Sequence, residues 1–301
     1  MTSVIARVFP RRTSATPTDE LAFVGGRPTW MVPTSFRIKR ETPYTLVSPD
    51  LPVYGMGITA VHVSVAFTWD LPAAERIARE WERMAPVQIG GPATGELGEE
   101  FVPGRYLRHG YVITSRGCPN RCWFCGVWRR EGGVRELPIA DGWNVLDDNL
   151  LACSEGHIRS VFAMLERVKA SGRRIKFTGG LEAARLEDWH VEALDRLRPK
   201  VIYMAYDEPA DLEPLIAARA KLDEADFTRE TVHCYVLIGQ PGDTITKAQD
   251  RLVSVWNMGM IPMAMLWRDK NEDREREWER FQREWVIPSI IKANMRRLTA
   301  V

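Results

Sequence analysis

The chain has 301 residues, of which 45% are apolar and 27% charged, and its 41 basic and 40 acidic side chains leave a net charge of +1. This composition argues against long disorder, and the length suits one large α/β domain or a medium domain with a smaller attachment. The balanced charge excludes a bulk electrostatic attraction to nucleic acid or anionic membrane. No run approaches the roughly 20 apolar residues of a membrane span, and residues 1–14 lack the apolar centre of a signal peptide. We therefore expect a cytoplasmic protein with no membrane partner.

The first third of the chain predicts a small N-terminal α/β segment. Residues 1–55 are rich in Pro, Thr and Gly and predict irregular or short-strand structure. Residues 58–67 predict a strand, residues 71–84 a helix and residues 87–91 a second short strand. Residues 1–105 are therefore interpreted as a segment that contains one β-α-β unit.

From residue 106 onward, strand patterns alternate with helical patterns. Six strands are predicted, over residues 111–115, 143–147, 174–179, 200–206, 231–239 and 261–267. Four helices are predicted between them, over residues 157–172, 186–198, 212–225 and 244–259. Strands that alternate with helices build a parallel sheet, and six such repeats predict a partial (βα)6 barrel of the TIM-like kind, with ligands at the carboxyl ends of the strands. This core is expected to span residues 106–285 and to be followed by a helical tail over residues 286–301.

Two helix ends and one charged helix are also predicted. Gly172 and Gly259 each follow a helical pattern, where glycine commonly ends a helix. Residues 268–285 predict a charged helix in which Trp278, Phe281 and Trp285 form one apolar stripe. The charges of that helix are interpreted as a solvated face.

Three of the five cysteines fall within eight residues, directly after the first predicted strand of the core. Cys118, Cys122 and Cys125 form the pattern C-x3-C-x2-C. An odd cysteine count argues against a disulfide scaffold, and thiolates are soft ligands that suit iron–sulfur clusters or zinc. Three thiolates on a short loop can hold three corners of a cubane cluster and leave the fourth iron without a protein ligand. Such an iron can bind a small molecule.

Other interpretations of these cysteines stay open. A structural zinc site normally needs four protein ligands, but His109 and His157 lack finger-like spacing, and Cys153 and Cys234 are remote in sequence. Three unrelated buried cysteines are a further alternative. A redox sensor is another, although nothing in the sequence marks a resolving partner.

The pattern C-x3-C-x-aromatic-C, with Phe124 as the aromatic residue, resembles the signature of the radical S-adenosylmethionine superfamily. The resemblance covers about residues 105–285, and the motif follows the first strand of a six-fold β/α array, as that superfamily requires. It implies that Cys118, Cys122 and Cys125 bind a [4Fe–4S] cluster. The amino and carboxylate groups of S-adenosylmethionine would chelate the unique iron of that cluster. Reductive cleavage of that cofactor would give methionine and a 5′-deoxyadenosyl radical that abstracts hydrogen from a substrate.

The same resemblance implies a set of cofactor contacts: Phe124, Asp148, Asn149, Glu182, Asp207 and Gly239. Asp148 and Asn149 follow strand two, where the family commonly has Gly-Gly-Glu, and Glu182 follows strand three. Asp207 takes the glutamate position of a Gly-Ile-Glu-Ser turn after strand four. Gly239 belongs to a turn after strand five that is similar to the adenine-lining Gly-Leu-Pro-Gly-Glu-Thr.

Structural interpretations of several residues stay open beside these. Asp243 predicts the N-cap of the helix that follows strand five. Asp207 could simply start a helix, and Cys234 predicts a buried small hydrophobe. Arg129 and Arg130, next to the cysteine loop, could form an anion site together with Arg135, or could face solvent.

The N-terminal unit resembles the last strands and helix of the cobalamin-binding domain that precedes the core in cobalamin-type members, but the signature Asp-x-His-x-x-Gly is absent. We interpret it as a degenerate remnant. The leading hypothesis is a radical S-adenosylmethionine enzyme with one cluster and an electron donor such as flavodoxin or ferredoxin. Its substrate is unidentified and could be a small molecule, a nucleotide or a nucleic-acid base. The alternatives are a methyl- or methylthio-transferring relative and a non-enzymatic module that binds zinc or an iron–sulfur cluster.

Overall fold

The computed structural model describes residues 3–34, 56–96, 100–268 and 276–298. The chain divides into two compact units, Met1–Tyr111 and Val112–Val301. Both units are α/β structures with a sheet of their own.

Within its described residues, the first unit contains a five-stranded sheet and one α-helix. Its strands are β1 (Ile5–Phe9), β2 (Ala22–Val24), β3 (Arg27–Pro28), β4 (Ala60–Ser64) and β5 (Val87–Gly90), and its helix is α1 (Leu71–Trp81). The strand order is β3-β2-β1-β4-β5, and only the β2–β3 pair is antiparallel. The predicted β-α-β unit is confirmed as β4-α1-β5. Strands β1 to β3 have five residues or fewer, which is too short for a clear periodicity.

Helix α1 covers one face of this sheet because its apolar residues recur at helical spacing. Ala74, Ile77 and Trp81 are completely buried, and the indole N–H of Trp81 donates to the carbonyl oxygen of Gly25 at 3.0 Å. Gly91, after β5, has a φ of 114°, and a Cβ there would lie 2.7 Å from the carbonyl oxygen of Val65. Only glycine allows the loops after β4 and β5 to approach this closely.

The second unit contains a six-stranded sheet whose order follows the chain. Its strands are β6 (Tyr111–Val112), β9 (Asn144–Val145), β10 (Lys176–Phe177), β11 (Val201–Tyr206), β12 (Val232–Ile238) and β13 (Ile261–Leu266). The pairs from β9 to β13 are all parallel. All six predicted strands are present, and the first three are shorter than the apolar patterns. The α/β class with a parallel sheet is therefore confirmed.

Four helices connect the strands of this sheet, and each was predicted. They are α3 (Glu155–Ala170), α4 (Asp188–Leu197), α5 (Leu212–Glu224) and α6 (Ile245–Asn257). Gly172 and Gly259 follow α3 and α6 with φ values of 85° and 82°, which confirms their role in ending these helices. Cys234 in β12 is completely buried, as expected for a small hydrophobe, and burial raises the pKa of its thiol.

A small hairpin follows β6 and encloses the cysteine loop. Strand β7 (Ser115–Arg116) pairs antiparallel with β8 (Arg135–Glu136), and the four-residue helix α2 (Val127–Arg130) lies between them. Gly117 has a φ of 85°, and a Cβ there would overlap the carbonyl oxygen of Gly133. The two ends of the cysteine loop are therefore held together at Gly117.

Two helices end the described chain, α7 (Arg276–Glu284) and α8 (Pro288–Leu298). The predicted apolar stripe is confirmed: Phe281 and Trp285 are buried, and the ring of Trp278 lies 6.1 Å from that of Phe281. The start of the predicted charged helix, at 269–275, lies outside the described residues. None of the helices within the described ranges is long and apolar enough to cross a membrane.

Candidate functional site

The cysteine loop is folded back on itself by hydrogen bonds to its own backbone. The N–H of Cys118 donates to Gly132, which closes the loop at its base, and the N–H of Cys125 donates to Cys122 at 3.1 Å. The indole of Trp128 donates to the carbonyl oxygen of Cys122, at 2.9 Å. These bonds fix the backbone around all three cysteines.

The arginines beside the loop also take part in holding it. The guanidinium of Arg129 donates to the carbonyl oxygens of Cys125 and Trp123, at 3.2 and 3.1 Å. Arg130 forms an ion pair with the buried carboxylate of Glu131, at 2.9 Å. Arg129 is exposed, as the solvent-facing interpretation predicts, whereas Arg130 is half-buried. Both arginines also stabilise the loop, which neither sequence interpretation included.

The three thiols of the loop interact electrostatically with one another. The pKa of Cys122 is raised to about 11, mainly by burial and in part by the charges of Cys125 and Cys118. The pKa of Cys125 is also raised, mainly by burial, with a contribution from Cys118. Without a metal, Cys122 and Cys125 are therefore protonated thiols near neutral pH. Binding of a metal or cluster as thiolates releases their protons.

Each of the three sulfurs also has an N–H group directed at it. The side-chain amide of Asn149 lies 3.3 Å from the Sγ of Cys118. The backbone N–H of Val127 lowers the pKa of Cys125, and the N–H of Cys122 does the same for its own thiol. Hydrogen bonds to sulfur stabilise the thiolate and are one of the ways in which proteins tune iron–sulfur clusters.

A polar cluster lies beside Cys118 and brings two of the predicted cofactor contacts together. Glu182 accepts from the amide of Asn149 at 2.6 Å, from the amide of Asn120 at 3.0 Å and from Arg185 at 2.7 Å. Asn149 is buried, and its Oδ1 has no hydrogen-bond partner among the described residues. An unsatisfied buried acceptor is costly unless a ligand donates to it. Asn120 was missed from the sequence, although it lies inside the cysteine motif.

Two neighbouring carboxylates hold the start of the cysteine loop. Asp148, predicted as a cofactor contact, accepts from the backbone N–H of Gly117 at 2.9 Å. Asp147 is buried and accepts from the N–H and hydroxyl of Thr114 and from the hydroxyl of Ser115. Burial raises the pKa of Asp147 despite these hydrogen bonds. The two acids therefore position the loop that carries the cysteines.

Aromatic residues connect the cysteine loop to the far strands of the sheet. The indole of Trp123 donates to Glu208, which follows β11, at 2.9 Å. Its ring centroid lies 6.1 Å from that of Trp267, which follows β13. Phe124 packs edge-on against Trp123 at 5.5 Å and is half-buried. The loop after β6 thus reaches the carboxyl ends of β11 and β13.

Asp207 is half-buried and lies at the carboxyl end of β11. Burial raises its pKa to about 7, with a further contribution from Asp211, against opposing contributions from the backbone of Leu237 and from Arg251. The backbone N–H groups of Asp207 and Glu208 both donate to Asp211, at 2.9 and 2.8 Å. Asp211 therefore orders the turn, while the Asp207 carboxyl stays close to its midpoint of protonation at neutral pH.

Asp207→Asn is expected to stabilise the protein increasingly as the pH rises. The pKa of Asp207 is higher in the folded state than in the unfolded state. The free energy of unfolding of the wild type therefore falls as the pH rises from the unfolded-state pKa to about 7. Between pH 5 and pH 8 the wild type should lose about 2.5 kcal/mol relative to Asp207→Asn. Urea unfolding at both pH values measures the difference. The exposed Asp250→Asn on α6 is the control, and an equal pH response in both variants would contradict this environment for Asp207.

The turn after β12 contains Gly239 and Asp243. Contacts within the turn and its surroundings explain why a glycine and a carboxylate occupy these two positions. Gly239 has a φ of 71°, and a Cβ there would lie 2.7 Å from Leu266 Cδ1. The predicted N-cap role of Asp243 is wrong, because the hydroxyl of Thr244 caps α6 instead. Asp243 accepts a hydrogen bond from the N–H of Gly239 at 2.9 Å and forms a bidentate ion pair with Arg251.

Arg251→Met is expected to lower the free energy of unfolding by about 3 kcal/mol, because it leaves the buried Asp243 carboxylate without its partner. Arg196→Met removes the exposed pair with Glu166 and should cost less than about 1 kcal/mol. Denaturant unfolding of both variants tests the contrast. Similar losses of unfolding free energy in both variants would show that the Asp243–Arg251 pair does not stabilise the turn.

Among the residues that the structure describes, no three His, Cys, Asp or Glu side chains converge on a position for one metal ion. A single zinc needs sulfurs about 3.8 Å apart, whereas a cubane binds each thiolate at a different iron. Comparison of the chain with protein-family models and with curated proteins gives no match. A functional assignment therefore depends on the residues and their geometry.

Proposed function

We propose that the chain is a radical S-adenosylmethionine enzyme with one [4Fe–4S] cluster bound by Cys118, Cys122 and Cys125. The observation that carries the proposal is the cysteine loop itself. Three mutually interacting thiols, each with an N–H donor, follow the first of six consecutively ordered strands. The carboxyl ends of parallel strands are where α/β proteins bind their ligands.

The contacts of Trp123 support a curved sheet, and so a partial (βα)6 barrel. In a flat sheet with strands about 4.8 Å apart, β6 and β13 would be about 24 Å from each other. The loop that follows β6 nevertheless touches residues directly after β11 and β13. Curvature that brings the ends of these strands toward β6 accounts for both contacts.

The chain's own residues fit the cofactor that the cysteine motif implies. When bound, the cluster and S-adenosylmethionine supply reductive cleavage of a C–S bond and a radical that abstracts hydrogen. The free Oδ1 of Asn149 and the carboxylate of Glu182 are acceptors for the cofactor's ammonium group, and Arg185 holds Glu182 in place. Phe124 and Gly239 are proposed to contact the adenine, and Asp207 the remainder of the cofactor.

The polar cluster beside Cys118 also separates the proposal from its main alternative. A non-enzymatic module that binds zinc or a cluster does not bind a small molecule next to its metal ligands. It therefore needs no hydrogen-bond acceptors such as the Oδ1 of Asn149 and the carboxylate of Glu182 at that position. The unsatisfied Oδ1 of Asn149 therefore favours a cluster that binds a ligand. A methyl- or methylthio-transferring relative would use the same cofactor site, and no contact in the described residues distinguishes it.

Anaerobic reconstitution with iron and sulfide tests the proposed function. The protein should gain a broad absorption band that dithionite bleaches, and it should then release 5′-deoxyadenosine from S-adenosylmethionine. Dithionite replaces the electron donor, for which a flavodoxin or ferredoxin is proposed. Tightly bound zinc, with no cluster and no release of the nucleoside, would instead support the non-enzymatic module.

A further inference from the structure

The side chains of β11, β12 and β13 alternate between a buried face and a partly open face. The buried face is completed by helices α5 and α6 and includes Ile202, Met204, Cys234, Val236 and Ala264. The other face carries Tyr203, Tyr235 and Met263, which are half-buried, and Met265, which is 48% exposed. We call these four residues the open face. Parallel sheets are normally covered on both sides, so partly exposed apolar side chains in mid-strand indicate a space in front of them.

Two stacked rings form the centre of the open face. The rings of Tyr203 and Tyr235 are 4.5 Å apart at their centroids and only 16° from parallel. Tyr235 lies opposite Ala205 in the strand register, and this small exposed residue leaves room beside the rings. Tyr235 also lies opposite Met263, whose thioether is a favourable neighbour for aromatic groups. The surface is therefore shaped for a flat π system.

Lys176 places a cationic side chain on the same side of the sheet. Lys176 in β10 pairs in register with Val201, two residues before Tyr203, so Lys176 and Tyr203 share a face with their Cα atoms about 8 Å apart. The lysine ammonium makes no hydrogen bond or ion pair with any residue that the structure describes. Lys176 is half-buried as a residue, and an ammonium without a protein partner is free to bind an anionic ligand.

The cysteine loop reaches the carboxyl ends of the strands that carry these residues. Trp123 contacts Glu208, which follows β11, and Trp267, which follows β13. A molecule on the open face would therefore have one end close to the cysteine loop. This is where a hydrogen-abstracting radical would be generated in the proposed function.

We propose that the open face binds a planar aromatic anion, whose ring stacks on Tyr203 and Tyr235 and whose carboxylate or phosphate is neutralised by Lys176. That this ligand is the enzyme's substrate rests on the proposed function. The binding itself does not, because no residue of the cysteine loop is required for it. The inference narrows the candidate small-molecule substrates to flat aromatic acids and the corresponding aromatic phosphates.

Methyl NMR of the full chain, labelled with 13C at the methionine methyl groups, tests the binding without a cluster. The probes are 2-naphthoate and 2-naphthyl phosphate, with neutral 2-naphthalenemethanol and non-aromatic cyclohexanecarboxylate for comparison. At least one naphthyl anion should shift the Met263 and Met265 methyl signals upfield through its ring current. Whichever of 2-naphthoate and 2-naphthyl phosphate binds more tightly indicates whether the natural ligand carries a carboxylate or a phosphate. Cyclohexanecarboxylate should produce no such shift.

Three variants assign the binding to named residues. Tyr235→Leu should weaken naphthyl binding at least tenfold, while Tyr235→Phe, which keeps the ring, should stay within twofold of wild type. Lys176→Met should weaken binding of the anions at least fivefold and leave the neutral alcohol unchanged. Tyr206→Phe, on the buried face of β11, is the matched control. The signals of the buried Met204 and Met260 report that each variant is folded.

Several outcomes would overturn the inference. These are the absence of ring-current shifts at Met263 and Met265, shifts that persist in folded Tyr235→Leu, and shifts that are the same with or without Lys176. Displacement of the naphthyl probe by adenosine would also overturn it, because the tyrosines would then form an adenine site. Failure of 5′-deoxyadenosine release would instead affect the proposed function and leave this binding result intact.

Discussion

Cys122→Ala is expected to abolish the release of 5′-deoxyadenosine, with a loss of at least 100-fold, and to prevent stable cluster binding. Cys122 is the middle ligand of the proposed three, and the other two thiols cannot hold a cubane whose two remaining irons both lack a protein ligand. The protein should stay folded, because Cys122 is partly exposed and does not belong to the buried core. Iron and sulfide per chain, together with the nucleoside product, provide the measurement.

Cys153→Ser is the matched control for this experiment. Cys153 is half-buried near the same loop, and burial raises the pKa of its thiol to about 11, much as for Cys122. Its Sγ contacts the carbonyl oxygen of Asn149 but takes no part in the C-x3-C-x2-C pattern. The control should retain cluster and turnover within about twofold. Unchanged turnover in Cys122→Ala, or equal losses in both variants, would contradict the assignment of ligands.

Gly117→Ala is expected to reduce cluster loading at least tenfold while the rest of the chain stays folded. Gly117 has a φ of 85°, and an added Cβ would overlap the backbone of Gly133 across the base of the cysteine loop. The strained φ alone costs about 1–3 kcal/mol, and the overlap forces β7 and β8 apart. The loop that carries the three cysteines would then open at its base. Iron content after reconstitution and far-ultraviolet circular dichroism measure the two parts of the prediction.

Gly133→Ala separates this effect from a general intolerance of the loop to substitution. A Cβ at Gly133 would meet no atom within 4 Å, and its φ is not in the left-handed region. This variant should load the cluster as the wild type does. Normal loading in Gly117→Ala would show that the closed base of the loop is not needed for the cysteine geometry.

The long strands and helices of the second unit could be predicted because their apolar patterns are regular. Strands β11, β12 and β13 have six or seven residues, and α3 has sixteen, which is long enough for a period to be recognised. The hairpin β7–β8 was not predicted. Strands of two residues carry no periodic signal, and this pairing depends on Gly117 meeting Gly133 across the loop.

The site could be predicted in part, since cysteine spacing is local whereas the other contacts are not. The proximity of Cys118, Cys122 and Cys125 follows from their separation in sequence. The meeting of Asn149 with Glu182 depends on the adjacent ends of β9 and β10, which the predicted strand order implies. The preference of Thr244 over Asp243 as N-cap was not predictable, because it depends on the distant Arg251 and Gly239, which already engage the Asp243 carboxylate.

Mössbauer spectroscopy of the 57Fe-reconstituted chain, with and without S-adenosylmethionine, tests the central claim most directly. Three cysteine ligands predict four irons per chain in one cluster, with one iron distinct from the other three. Addition of S-adenosylmethionine should change the isomer shift of that iron alone. Four equivalent irons that do not respond to S-adenosylmethionine, or a chain that binds zinc and no iron–sulfur cluster, would contradict the account.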